Sequence, residues 1–156
     1  PDATGGVCVV ASKATDVILD ATGSLDDRFV ALPSPQRLLD TRAGETGLIE
    51  MPDGSLGGDF DFRFGVDQYF QFDLGGIGGV PEGHYMALNV VAVNPSAKGY
   101  LTVYPCEGVA PPATSTLNFT AGVTIANSII VLGSPSLCVR TSQETDVIID
   151  VTGYFL

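Results

Sequence analysis

Thr145-Asp146-Val147-Ile148-Ile149-Asp150-Val151-Thr152-Gly153-Tyr154-Phe155 opens with a strict alternation. Val147, Ile149 and Val151 fall on one face, while Asp146 and Asp150 flank Ile148 on the other. That period of two is the pattern of a half-buried β-strand. The stretch also has a twin. Residues 8–25 align without a gap on residues 138–155, each position n matching n + 130, and the shared core is Thr-Asp-Val-Ile-x-Asp-x-Thr-Gly. Self-similarity at a fixed spacing marks a repeat architecture. The chain therefore reads as a module, residues 26–156, preceded by residues 1–25. That leading piece is a hairpin equivalent to the tail of an earlier module, or an exchanged strand pair. Both hairpins are expected to want the same edge position in a sheet, which one domain offers once.

Outward from that strand, alternation dominates. Phe60-Asp61-Phe62-Arg63-Phe64 and Phe70-Gln71-Phe72-Asp73-Leu74 put aromatics on one face, and Gly65-Val66-Asp67-Gln68 between them is short enough for a hairpin. Residues 86–93 are nearly all apolar, as expected of a central strand covered on both faces. Asn94-Pro95-Ser96-Ala97-Lys98-Gly99 supplies turn chemistry before a strand over residues 100–104. Further strands are predicted at 7–11, 16–20, 29–32, 37–40, 116–119, 124–132, 137–140 and 146–151. No segment shows helical spacing with caps. Strand-length runs separated by Gly and Pro predict an all-β, antiparallel two-sheet β-sandwich, with a β-barrel as the alternative. Residues 43–59 and 74–81 are the longest loop candidates.

Composition agrees. The 156 residues fit one domain with a real core, and 45% hydrophobic against 16% charged residues excludes a disordered polymer. No apolar run reaches the ~18 residues needed to cross a bilayer, so membrane insertion is not expected. A start at Pro1 without a leader pattern reads as a processed end. The net charge of −11 repels phosphate backbones, which argues against nucleic acid and suits a soluble secreted or cell-surface protein.

The cysteine count is odd. Cys106 and Cys138 could close a loop of about thirty residues, contributing on the order of 3 kcal/mol. Cys8 holds in the first copy the place of Cys138 in the second, so it is left for an intermolecular bond or remains a free thiol.

Catalytic chemistry is poorly served. His84 is the only histidine, and no Gly-x-Ser-x-Gly elbow exists for a nucleophile. One His and three scattered Cys do not make a zinc site. Asp53-Gly54-Ser55 followed by Asp59 and Asp61 is a candidate Ca2+ loop, but it lacks the EF-hand spacing. No cofactor is expected, Ca2+ being the one metal the acids could hold. The sharpest polar cluster is Arg37, Asp40, Arg42, Asn118, Asn127, Asp146 and Asp150, each beside apolar strand residues. Charges there are tolerated only when paired, and Arg37 and Arg42 could fork onto Asp40, Asp146 or Asp150. A ligand site and a register-fixing network both fit that cluster. The network reading is preferred, because Asp16 and Asp20 recur in the first copy without an Arg cluster of their own.

Six ordered motifs carry a resemblance. They are Arg37-Leu38-Leu39-Asp40-Thr41-Arg42; Gly78-Gly79-Val80-Pro81; Asn89-Val90-Val91-Ala92-Val93-Asn94-Pro95 running into Gly99-Tyr100-Leu101-Thr102-Val103-Tyr104-Pro105; Ser115-Thr116-Leu117-Asn118-Phe119-Thr120-Ala121-Gly122; Thr124-Ile125-Ala126-Asn127; and the closing strand. Together they resemble a repeat module of large secreted or cell-surface proteins of actinobacterial type, often in tandem and sometimes beside hydrolase domains. The resemblance spans residues 26–156, with residues 1–25 resembling the tail of a preceding copy. The resemblance implies no defined activity; the duplicated hairpin is the basis for expecting an extracellular, non-catalytic structural or adhesion module whose partners are neighbouring copies of itself. The alternative is a carbohydrate-binding module attached to a secreted enzyme or cell surface. Its polysaccharide would lie between the loops at 43–59 and 75–84, against Tyr85 and Tyr100, with Asp53 and Asp59 nearby.

Overall fold

Successive strands of the computed structural model, which describes residues 9–14, 28–49, 62–74, 76, 79–106, 110–133 and 136–156, cross back and forth between two sheets. The strands are β1 (Phe29–Asp40), β2 (Tyr69–Asp73), β3 (Tyr85–Val93), β4 (Gly99–Pro105), β5 (Leu117–Phe119), β6 (Ile125–Leu132), β7 (Ser136–Thr141) and β8 (Asp146–Phe155). One sheet has the order β1-β8-β3-β6 and the other β2-β7-β4-β5, with every pairing antiparallel. The pairs β1–β8, β2–β7, β3–β6 and β4–β5 are those of one long hairpin rolled on itself. Added pairings of β3 with β8 and β4 with β7 complete the sheets, giving the jelly-roll arrangement of a sandwich. The sheets end on open edges, so the fold is the expected sandwich and not the closed barrel.

Alternation fills the space between the sheets. Leu88, Val90, Ala92, Val147, Ile149 and Val151 come from one sheet, and Phe72, Leu101, Leu117, Phe119, Leu137 and Val139 from the other. Each large side chain buried in this way contributes roughly 1.5–3 kcal/mol. The inward placing of Val147, Ile149 and Val151 is the one read from their spacing. Residues of β3 are buried at every second position only, so its outer face is half covered rather than sealed. Phe64 and Ile49, from outside the eight strands, are fully buried as well.

Edge strand β1 shows how local sequence shapes the sheet. The two short strands expected at 29–32 and 37–40 are one strand, with register shifts between Ala31 and Gln36 and between Arg37 and Leu39. Pro33 and Pro35 fall inside the first shift, and an edge strand tolerates missing donors there. Beyond its end the chain returns, with Leu48 N–H donating to Arg37 O at 3.0 Å and Ile49 N–H to Leu38 O at 3.0 Å. Only glycine fits at position 47, where a Cβ would stand 2.3 Å from Leu38 O.

Four further expectations are corrected. β7 and β8 are not a hairpin; they belong to different sheets, because the connection at residues 142–145 crosses the sandwich. Nor is the seat of residues 146–150 an edge, since β8 is hydrogen-bonded to β1 on one side and β3 on the other. The chain does reverse at Gly65–Gln68, with Gln68 N–H donating to Gly65 O at 3.4 Å. Its two arms do not pair among the described residues, however: Phe64 bridges to Thr145 while Tyr69–Asp73 pairs with β7, and residues 60 and 61 lie outside those described. In the leading copy, residues 9–11 form no strand, and Val9 and Val10 are 51% and 93% exposed. The strand expected at 16–20, and Cys8, lie outside the described residues.

The disulfide expected between Cys106 and Cys138 is present, joining the end of β4 to β7 across 32 positions. Replacing both cysteines by Ala is expected to lower unfolding free energy by about 3 kcal/mol. The readout is a lower urea midpoint with a somewhat steeper slope, because the unfolded chain without the cross-link exposes more surface.

Candidate functional site

The β1–β8 register sets Arg37 opposite Asp150 and Asp40 opposite Ile148 on the outer face of the first sheet. Asp40 is nonetheless 0% exposed, because arginines close over it. Arg42 Nε donates to Asp40 Oδ1 at 2.9 Å and Arg42 Nη2 to Asp40 Oδ2 at 2.7 Å, the bidentate fork expected of that pair. The Arg42 backbone N–H adds a third bond at 3.3 Å. Arg37 bridges the strands, donating from Nη1 to Asp40 and from Nε to Asp150 Oδ1 at 2.6 Å. Burial alone would raise the Asp40 carboxyl. The Arg42 hydrogen bonds and the charges of both arginines outweigh burial and hold it below the usual carboxylate range.

The remaining members of the expected cluster separate. Asp146 pairs with Arg63 at 2.5 Å, a partner absent from that cluster, and Arg63 also donates to Asn94 O. Asn127 donates to Thr116 O at 2.8 Å, tying edge strand β6 to the approach of β5 in the opposite sheet. Asn118 is exposed and joins no network among the described residues, because the β5 alternation points it outward between buried Leu117 and Phe119.

The repeated motif now has a contact for each polar letter. Thr145 Oγ1 donates to Val93 O at 3.1 Å, Asp146 takes Arg63, Asp150 takes Arg37, and Thr152 Oγ1 donates to Ala87 O at 3.1 Å. Gly153 leaves room for β1, since a Cβ there would lie 2.6 Å from Val30 O and 2.5 Å from the Phe29 ring. Each letter fits an interior strand to its neighbours.

The proposed stacking pair does not converge. Tyr85 begins β3 and Tyr100 lies near the start of antiparallel-running β4, so they occupy different sheets at opposite ends of the sandwich. Asp53 and Asp59 lie outside the described residues, as does the rest of the candidate Ca2+ loop. Among the described residues no group of three acids, histidines or cysteines could hold a metal. His84 contacts Glu82 O at 3.1 Å through Nδ1 and packs edge-on against Tyr154, with no nucleophile attached.

Clefts among the described residues include one on the outer face of each sheet. Arg28, Tyr85, Ile130, Phe155 and Leu156 line one of about 400 Å³ on the first sheet. Tyr69, Gln71, Tyr104, Cys106, Pro111 and Cys138 line one of about 290 Å³ on the second. The alternation of β2 already implied that Tyr69 and Gln71 face outward once Phe70 and Phe72 turn inward. The rest of that cleft depends on register across three strands.

No family model matches the chain, and no curated protein matches it. Among solved structures, the tobacco streak virus coat protein superposes in two determinations, one of them of its dimer. Both give a TM-score of 0.41 at 12% identity over 83% of this chain, and cover 89% and 88% of theirs.

Replacing Asp40 by Asn weakens the hydrogen bonds of two part-exposed arginines that keep Asp150 and Glu45, and is expected to cost about 1.5–3 kcal/mol of stability. The contribution of a depressed carboxyl is fully present above its unfolded value near pH ~4 and disappears as pH falls through the lower folded value. Urea midpoints measured from pH 7 downward should fall in wild type below about pH 4, more shallowly in Asp40→Asn.

Proposed function

We propose that the chain is a non-catalytic module of a secreted or cell-surface protein, built to associate head to tail with like units in a tandem array or filament. The observation that carries this reading is the fit of the duplicated motif. In its second copy every polar letter and the glycine serve an interior strand seated between β1 and β3. The first copy keeps those letters as Thr15, Asp16, Asp20, Thr22 and Gly23. Arg37 and Arg63, the partners such aspartates need, are already engaged by Asp150 and Asp146. A second identical seat therefore belongs to another unit.

The exposed state of Val9 and Val10 supports the same reading, because their counterparts Val139 and Arg140 are strand residues of β7, with Val139 buried. In a tandem protein the leading copy would complete the unit before it. Between separate chains it would enter a neighbour by strand exchange, the displaced β7 and β8 passing onward. Such a contact is heterologous and propagates as rings or open fibres. Cys8 would then stand where Cys138 stands and bond the neighbour's cysteine at position 106.

Light scattering after size exclusion, supported by negative-stain microscopy, tests this on the intact chain against residues 26–156. Concentration-dependent assemblies from the first and monomers from the second are expected. Two monodisperse monomers would overturn the reading.

A further inference from the structure

We propose that the outer face of the β2-β7-β4-β5 sheet carries a binding cleft for a single neutral sugar ring, with Tyr69 as its stacking platform. The cleft is a product of register. Gln71 of β2 pairs with Cys138 of β7, which pairs with Tyr104 of β4, so these three side chains stand in one row across the sheet. In the next row Tyr69 pairs with Arg140, and Arg140 with Thr102. The Cys106–Cys138 bridge and Pro111 wall the upper row, leaving about 290 Å³. That volume is at the small end of ligand pockets and suits one ring.

The lining selects the ligand class. Tyr69 is 62% exposed although it sits on a regular strand, whereas Tyr104 is only 6% exposed and closes the side. Burial raises the Tyr104 hydroxyl above its ordinary value, so it stays a neutral donor and acceptor. The Tyr69 and Tyr104 hydroxyls and the Gln71 amide make no hydrogen bond among the described residues, so three polar groups converge on the cleft without partners there. Among the described residues no Lys, Arg, His, Asp or Glu lines it, and Arg140, one row away, is held by Asp67 at 3.2 Å. Those lining residues offer an ion no countercharge, and the chain's net charge of −11 further disfavours an anion. A purely aliphatic ligand would bury the three polar groups unsatisfied, at a cost of about 1–3 kcal/mol each. A pyranose meets both demands: its C–H face lies on an aromatic ring while its hydroxyls reach the amide and phenols.

This inference is independent of the assembly reading, because an array without sugar affinity and a monomer with it are separate outcomes. The test is a titration of the 15N-labelled intact chain with cellohexaose, xylohexaose and mannohexaose, followed by amide chemical shifts. Saturable shifts are expected at Gln71, Cys138 and Tyr104 with at least one of the three. Tyr69→Ala should weaken that binding about tenfold, the scale of a lost aromatic contact, and Tyr104→Phe less so, both with the rest of the spectrum unchanged. Because Tyr69 is exposed, its truncation should leave the fold intact, and Gln71→Ala serves as a second exposed variant. The proposal is overturned if none of the three sugars shifts those amides. It is equally overturned if Tyr69→Ala and Gln71→Ala both bind as tightly as wild type, or if only a proline decapeptide moves them.

Discussion

One arginine, Arg37, ties the first strand of this sandwich to the last, donating to the fully buried Asp40 on its own strand and to Asp150 on β8. Rolling a chain into a jelly roll demands that β1 find β8 across more than a hundred intervening residues, as in the 2.9 Å bond from Val147 N–H to Thr41 Oγ1. Hydrophobic alternation says which face of β8 is buried, but it accepts any slip of two residues. Charge does not. Arg37, held on one side by the buried Asp40, reaches Asp150 with its Nε only when Asp150 comes level with it. A slip of one residue would carry Asp150 into the core and Ile149 out of it. The Arg37–Asp40–Arg42–Asp150 relay thus selects one register for the longest-range pairing, and the β3 and β6 pairings build outward from there.

Much of this was legible in residues alone, and the failures share a cause. Alternation in 146–151 named the buried side chains, and the apolar setting of Arg37, Asp40 and Arg42 announced that their charges must be paired. The Cys106–Cys138 bridge followed from strand positions. What alternation cannot state is which of two sheets a strand joins. Each strand of a sandwich presents the same half-buried pattern in either sheet, so the connection at 142–145 reads as a hairpin although it crosses the core. Residues 60–74 misled in the same way: Phe64 and Phe70 do meet, with ring centroids 5.0 Å apart, but as core neighbours rather than paired strands. Asn118 was grouped with the charged cluster on its neighbours' apolarity, yet an outward position in a short strand places no demand on a polar side chain.

Seating β8 in the interior changes what the duplication means. An edge can accept an additional strand at the cost of ordering it, and the host fold is unchanged. An interior seat exists only when both neighbours are present, and it holds one occupant. Two copies of a strand fitted for such a seat, down to a glycine that admits the neighbouring backbone, cannot share one sandwich. Either the second seat is in another unit or the first copy's motif serves no contact.

The two faces of the sandwich divide the labour. Contacts of the repeated motif's polar letters run through β8 and the first sheet, on the face that carries the arginines. The neutral cleft, with Tyr69, Gln71 and Tyr104, is on the opposite outer face. Joining units through interior strands therefore leaves the cleft uncovered, and the copied cysteine at position 8 would bring the same residue into the Gln71–Tyr104 row of each joined unit. A single ring stacked on one tyrosine binds weakly. A series of such clefts presented along one polymer raises effective concentration and multiplies weak contacts without any new one. Repetition is what a shallow neutral cleft needs if it is to hold a polysaccharide, and the physical link between the two proposals is that each makes the other useful.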